Sequence, residues 1–326
     1  MTTRTVATVS GEVRIDALGL TLMHEHVVLL DAEVEVNRLG RWRDEVEIPA
    51  ATASLIATRV AGVDTIVDLT AFGMGRNVER VRRIAEGTGM NVVVATGIYA
   101  FERLPRFFAA RGPQTVNGGP DPVEAFLVRE ILEGIAGTGI RAGIIKCGTD
   151  VAGLTPDVTH MLRAAARAHR RTGVPISTHT DAASFGGRDQ QALFRAEGVD
   201  LSRVVIGHCG DSTDLAYLTE LMDAGSYIGM DRFGYDARLA PERRLEVVAE
   251  LVRRGYAGRM LLSHDAPCYS DTLEPDTRKR LWPNCSHTYI PTVVLPALRG
   301  LGVGDDDIDR MTVRNPRDVF SRNEPY

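Results

Sequence analysis

Eight apolar runs of strand length recur along this 326-residue chain, separated by longer amphipathic stretches that end in glycine. The runs are Leu20 to Met23, Thr65 to Leu69, Asn91 to Thr96, Ala142 to Lys146, Pro175 to Thr178, Val204 to Gly207, Tyr227 to Met230 and Met260 to Ser263. This alternation is the pattern of βα units with a parallel sheet. One intervening segment, Pro156 to Arg171, places Met161, Leu162, Ala165, Ala166 and Ala168 near helical spacing. Thr155 and Pro156 give it an N-cap and a proline at the first helical position. Eight such repeats in about 260 residues predict a (β/α)8 TIM barrel, since a doubly wound sheet usually closes at roughly five to seven strands.

An α/β barrel routinely uses about 250 residues as one domain, and no composition shift or low-complexity tract marks a second, so residues 1–326 are expected to form a single barrel domain. Two connections are too long for simple βα loops: residues 100–122, rich in Pro and Gly, and residues 266–291, with Tyr269, Trp282 and Tyr289. Loops of that length usually act as lids or pocket walls. Asn315-Pro316 is expected to cap a closing helix. A net charge of -5 removes the electrostatic footprint of a nucleic-acid binder. The arginine pairs Arg170-Arg171 and Arg253-Arg254 fall near glycines, where cations favour the carbonyl end of a helix. The four cysteines contain no C-x-x-C pair, so neither a disulfide scaffold nor a thiolate zinc site is indicated. The N-terminus lacks the basic and apolar regions of an export signal, and no apolar run approaches membrane-spanning length. A cytoplasmic protein without membrane contact is the expectation.

The sharpest local feature is His24-Glu25-His26 after the first run, where a period of two turns both imidazoles to one side and Glu25 to the other. This spacing is not the helical H-E-x-x-H zinc motif. Lys146, His179, His208 and Asp265 each stand at the end of another run. In a barrel these ends share the C-terminal rim, so four histidines, a carboxylate and a lysine converge. Imidazole and carboxylate suit zinc, iron, cobalt or manganese, and the ligands are too many for one tetrahedral ion, so two divalent metal ions are the economical reading. A protonated Lys146 would be repelled there. Its neutral amine can instead react with carbon dioxide to give a carbamate, whose two oxygens can bridge two metals.

At this set the chain resembles the phosphotriesterase-like lactonases of the amidohydrolase superfamily. The matching stretches are Thr21 to His26, Val63 to Thr70, Val94 to Tyr99, Ile145 to Cys147, Ser177 to Thr180, Ile206 to Asp211, Gly229 to Gly234 and Ser263 to Asp265. They run through nearly the whole chain in the expected order. The resemblance implies a binuclear site: His24, His26 and Asp265 on the more buried metal, His179 and His208 on the more exposed one, with carboxylated Lys146 and a hydroxide between them. It also implies Tyr99 and Arg232 at the pocket, Asp265 as both ligand and acid/base, and a homodimer. Tyrosine at position 99 is unusual in related phosphotriesterases and points toward lactones. For Arg232 a plain rim salt bridge is an equal alternative.

The expected activity is hydrolysis of lactones, N-acyl homoserine lactones above all (quorum quenching), with promiscuous turnover of organophosphate triesters. The alternatives are a phosphotriesterase, a hydrolase of simple γ- or δ-lactones, or a small-molecule-binding protein on a retired barrel. Loop 266–291 is expected to set acyl-chain preference; its tryptophan, Trp282, does not stand where relatives often carry one. Other residues read as structural. His160 and His169 lie on a helix away from the rim, and His264 points away from Asp265 toward a hydrogen bond in the core. His287 is a polar loop residue, and Cys147 and Cys209 are packed thiols. The Gly73 to Val78 stretch only begins like a dinucleotide fingerprint. Phe101, Phe107 and Phe108 are either core filler or the lining of an acyl-chain entrance.

Overall fold

A computed structural model describes residues 4–113, 115–322 and 324–326. Eight parallel strands follow one another in sequence order around the molecule. They are β3 (Thr21–Leu29), β4 (Thr65–Asp68), β5 (Asn91–Gly97), β6 (Ile144–Gly148), β7 (Ile176–His179), β8 (Val204–Ile206), β9 (Tyr227–Met230) and β10 (Met260–Leu262). Ahead of them a hairpin of β1 (Thr5–Thr8) and β2 (Gly11–Arg14) joins the sheet where Val9 N–H donates to Val92 O at 2.9 Å. A ninth parallel strand, β11 (Pro267–Ser270), pairs with β3 on its free edge. The chain leaving β10 therefore returns along β3. Asp265 N–H donates to His24 O at 2.9 Å and His26 N–H to Ala266 O at 3.0 Å, which closes the curl into a (β/α)8 barrel.

Two apolar shells hold it. Met23, Val67, Val93, Ile144, Val205 and Leu261 fill the interior, with Val6, Leu18, Val319 and Phe320 below them from the hairpin and the last helix. Leu22, Ile66, Val92, Ile145 and Ile206, one position along, face outward onto the helices. This is the period-two alternation of a strand buried on both faces. The helix Pro156–Thr172 shows why the covering layer forms. Thr155 caps Val158 N–H, proline opens the first turn, and Gly173 at φ +77° ends it. It buries Val158, Met161, Leu162 and a run of alanines against the sheet. Truncating the fully buried Leu162 to alanine would cost about 2–5 kcal/mol.

The two long connections carry structure of their own: a short helix, Arg106–Ala109, in the first, and β11 with the helix Pro275–Leu281 in the second. Asn315 begins the closing helix but caps nothing. Its side-chain amide instead donates to Ala257 O at 2.8 Å and Met260 O at 2.7 Å, tying that helix to the foot of β10. Among the described residues, no helix is long and apolar enough to cross a membrane.

Candidate metal centre

The His24-Glu25-His26 triplet lies inside β3, not after it. The ladder between β3 and β4 loses register between Leu22 and Glu25. An extra residue there reconciles two demands, because Met23 fills the interior while His24, its neighbour, also reaches the interior side chain of Lys146 at 3.0 Å. After the bulge the alternation resumes, so His26 joins His24 and Glu25 turns into the wall.

The other expected ligands arrive from four further strands, and Lys146, expected at the end of its run, is two residues short of it because the strand continues to Gly148. Lys146 is inside β6, His179 ends β7, and His208 and Asp265 stand just beyond β8 and β10. His208 and Asp265 both have φ +59°, a left-handed backbone that costs side-chain-bearing residues about 1–3 kcal/mol. Gly207 beside His208 must be glycine, because a Cβ there would sit 2.0 Å from Thr178 O.

Two of the imidazoles share a carboxylate that fixes their tautomers. Asp231 takes His24 Nδ1–H at 2.7 Å on one oxygen and His208 Nδ1–H at 3.1 Å on the other. Asp150 lies 3.7 Å from His179 Nε2. The two Asp231 hydrogen bonds leave lone pairs on His24 Nε2 and His208 Nε2. His208 Nε2 and His179 Nδ1 face each other at 3.0 Å. Asp265 Oδ1 lies 3.1 Å from His26 Nε2 and 3.4 Å from His24 Nε2, while Oδ2 lies 4.0 Å from His208 Nε2. The ligand atoms of His24, His26 and Asp265 all fall within 4.8 Å of one another. Lone pairs converging on a shared space, with a carboxylate beside them, make a donor set that fits divalent cations. A second group, His24, His208 and Asp231, also meets that distance, but Asp231 is occupied by the Nδ1 protons and orients the rings.

The electrostatics agree with neutral ligands. Burial, then Lys146, depresses the His24 pKa against Asp231 and Asp265. Burial, Arg232 and His179 hold His208 well below the usual imidazole range, and burial lowers His179 against the pull of Asp150. Burial pulls the Lys146 ammonium down to about 8, so its amine becomes available near neutrality. Burial opposes ionisation of Asp265, yet its surroundings, with the Arg232 guanidinium at 3.2 Å among them, keep its carboxyl well below the usual carboxylate range.

Above this floor lies a cavity of about 330 Å³, bordered by Leu29, Met74, Tyr99, Arg232, Arg238, Leu273, Arg278 and Trp282 among others. Burial and Asp265 push the Tyr99 phenol up to about 12, so it stays a neutral donor. Arg232 is held from both sides, by Asp265 Oδ2 at 3.2 Å and Asp211 Oδ2 at 2.7 Å, and Asp211 is in turn held by the buried Arg244 at 3.0 Å. Phe101 lies against His179 with ring centroids 4.4 Å apart, whereas Phe107 and Phe108 pack on each other away from the site. Of the three, Phe108 is buried core while Phe107 is 58% exposed.

Structure and sequence differ most at His287. It is buried, not a solvated loop residue, and its Nε2–H donates to Ala266 O at 2.7 Å beside Glu25. His264 donates to Glu25 at 2.7 Å, as a core hydrogen bond requires. His169 is buried against Val174 O and Tyr326, and His160 pairs with Asp121. Cys147 and Cys209 are packed thiols. Asp231, Asp150 and Asp211 were not singled out from the sequence, although each follows a strand end within a few residues.

Comparison with known proteins agrees with this geometry. The sequence matches the phosphotriesterase family over residues 4–320. It is 49% identical over 320 residues to a phosphotriesterase homology protein of Mycobacterium tuberculosis, covering 98% of each chain. The fold superposes on the solved "phosphotriesterase from Mycobacterium tuberculosis" with a TM-score of 0.97 at 48% identity, covering 99% of this chain and 100% of that one. A second solved structure, described as "Molecular Engineering of Organophosphate Hydrolysis Activity from a Weak Promiscuous Lactonase Template", gives 0.87 at 33% identity over 97% of this chain and 99% of that one. With its donor set gathered on the rim of such a barrel, this chain belongs to the phosphotriesterase family of metal-dependent hydrolases.

Proposed function

We propose that the protein is a lactonase, opening N-acyl homoserine lactones in preference to other esters, with side activity on organophosphate triesters. The observation that carries the reading is the form of the cavity. Its floor is the convergent donor set, and its walls join a neutral phenol, Tyr99, to apolar Leu29, Met74, Leu273 and Trp282. A lactone ring over the floor would leave its acyl chain against those apolar walls. One solved relative's description as a weak promiscuous lactonase supports the same class.

In this reading His24, His26 and Asp265 would hold an inner ion and His179 and His208 an outer one, with Lys146, as its carbamate, as a ligand they would share. Two divalent ions, when bound, supply Lewis acidity and a water acidic enough to deprotonate near neutral pH. The chain's own residues do the rest. Tyr99 donates to the substrate and orients it. Arg232, fixed between Asp265 and Asp211, has no freedom to swing, so it holds the Asp265 carboxylate ionised and in place. Asp265 takes the proton of the attacking water and returns it to the departing ring alkoxide.

A substrate panel tests this. The metal-loaded protein should turn over a long-chain acyl homoserine lactone with a higher kcat/KM than a simple γ- or δ-lactone, and an aryl phosphotriester with the lowest. A phosphotriester at the head of that order would make the protein a phosphotriesterase. No turnover of any of the three, with two metals bound per chain, would leave a binding protein.

A further inference from the structure

Glu25 stands between two of the metal-site histidines, points away from them, and is fully buried. Its Oε1 accepts from Ser263 Oγ–H at 2.8 Å, His264 N–H at 2.9 Å and His264 Nδ1–H at 2.7 Å, and its Oε2 from Ala266 N–H at 3.0 Å. All four donors belong to residues 263–266, the turn that carries Asp265. That turn also holds β3, since Ser263 Oγ accepts from His24 N–H at 2.8 Å. Asp265 itself sits in the left-handed region at φ +59°, a conformation that persists only where its surroundings over-determine it.

The same carboxylate is tied to the far end of the long second connection. His264 Nε2 accepts from Ile290 N–H at 2.8 Å, which fixes the Nδ1 proton that Glu25 receives. His287, 3.4 Å from Glu25 Oε2, donates to Ala266 O. Glutamine could not replace Glu25, because its amide N–H2 would meet a donor on one side or the other. Aspartate would be one methylene short.

We infer that Glu25 is a positioning residue for Asp265: it clamps the 263–266 turn so that the carboxylate stands between the two halves of the metal site. Through His264 and His287 it makes the seating of residues 287–290 a condition of metal retention. The inference rests on the two-metal reading above.

The test is zinc binding to metal-stripped protein in competition with a chromophoric chelator, beside circular dichroism and the melting temperature of the apo form. Folded Glu25→Gln should hold its tighter zinc ion roughly 10- to 100-fold more weakly than wild type, the range for losing a group that orients a ligand. His287→Gln should weaken it in the same direction by a smaller factor. A purely structural Glu25 would instead lower the melting temperature and leave the zinc Kd unchanged, which would overturn the inference. Should Glu25→Gln not fold, Ser263→Ala removes one of the four donors, and an unchanged zinc Kd in both Ser263→Ala and His287→Gln overturns it equally. Wild type that takes up fewer than two zinc ions would defeat the two-metal reading itself, whereas two ions in wild type and an unaltered Kd in the variants defeats only the role of Glu25.

Discussion

The inner and outer halves of the site are built differently. The inner half, His24, His26 and Asp265, contains an ionised carboxylate, and its two histidines are buried within β3. The outer half, His179 and His208, offers two neutral imidazoles at strand ends, with its nearest Asp265 oxygen 4.0 Å from His208. Asp150, the partner of His179, has a side chain that is 36% exposed. A carboxylate balances a dication's charge, whereas neutral imidazoles do not. Two bound ions should therefore not be held equally: the inner one should be tight and the outer one exchangeable.

The largest effect is expected where the halves meet. Lys146→Ala should abolish the distinction by losing both ions, with kcat/KM on a lactone falling roughly a thousandfold or more, as measured by metal analysis and turnover together. Full activity in that variant would remove any bridging role from Lys146. Asp231→Asn comes next, because Asp231 orients one ring in each half. It should weaken both ions roughly 10- to 100-fold in a chelator competition, and an effect on one ion alone would show that its two hydrogen bonds are not equivalent. Asp150→Asn should sharpen the comparison. Only the outer ion should loosen, by roughly tenfold, with the inner ion and the melting temperature unaltered.

The smallest expected effect is on pH dependence. Burial depresses the pKa of His24, His179 and His208, so in the folded protein these rings take up protons only below the ordinary imidazole value of about 6.5. Protons therefore do not compete for them at neutrality. Metal retention should stay level as pH falls through 6.5 and drop only below it, the outer ion leaving first. Loss of both ions together near 6.5 would mean that the rings titrate like exposed histidines.

The barrel and the ligand set were legible because both depend on local pattern. Strand-length apolar runs announce themselves, and a histidine or lysine at the end of such a run is rare enough to stand out. What escaped depends on tertiary geometry. β3 extends to Leu29 because its later residues are paired by β11, which lay hidden in a connection that reads as loop. The bulge that brings His24 inward leaves no mark in the sequence, since Met23 and His24 each look acceptable on either face. Asp231 and Asp150 are common residues at strand ends, and only the fold shows which imidazole each one faces. His287 looks solvated because its partners, Glu25 and Ala266, lie more than twenty residues away in the chain.

We propose that side chains dispersed from position 24 to position 265 enclose two cations of unequal affinity. A crystal structure of zinc-loaded protein with anomalous data above the zinc edge tests it most directly. Two peaks per chain are expected, one at full occupancy among His24, His26 and Asp265 and a weaker one beside His179 and His208. A single peak, none, or two peaks away from these residues would contradict it.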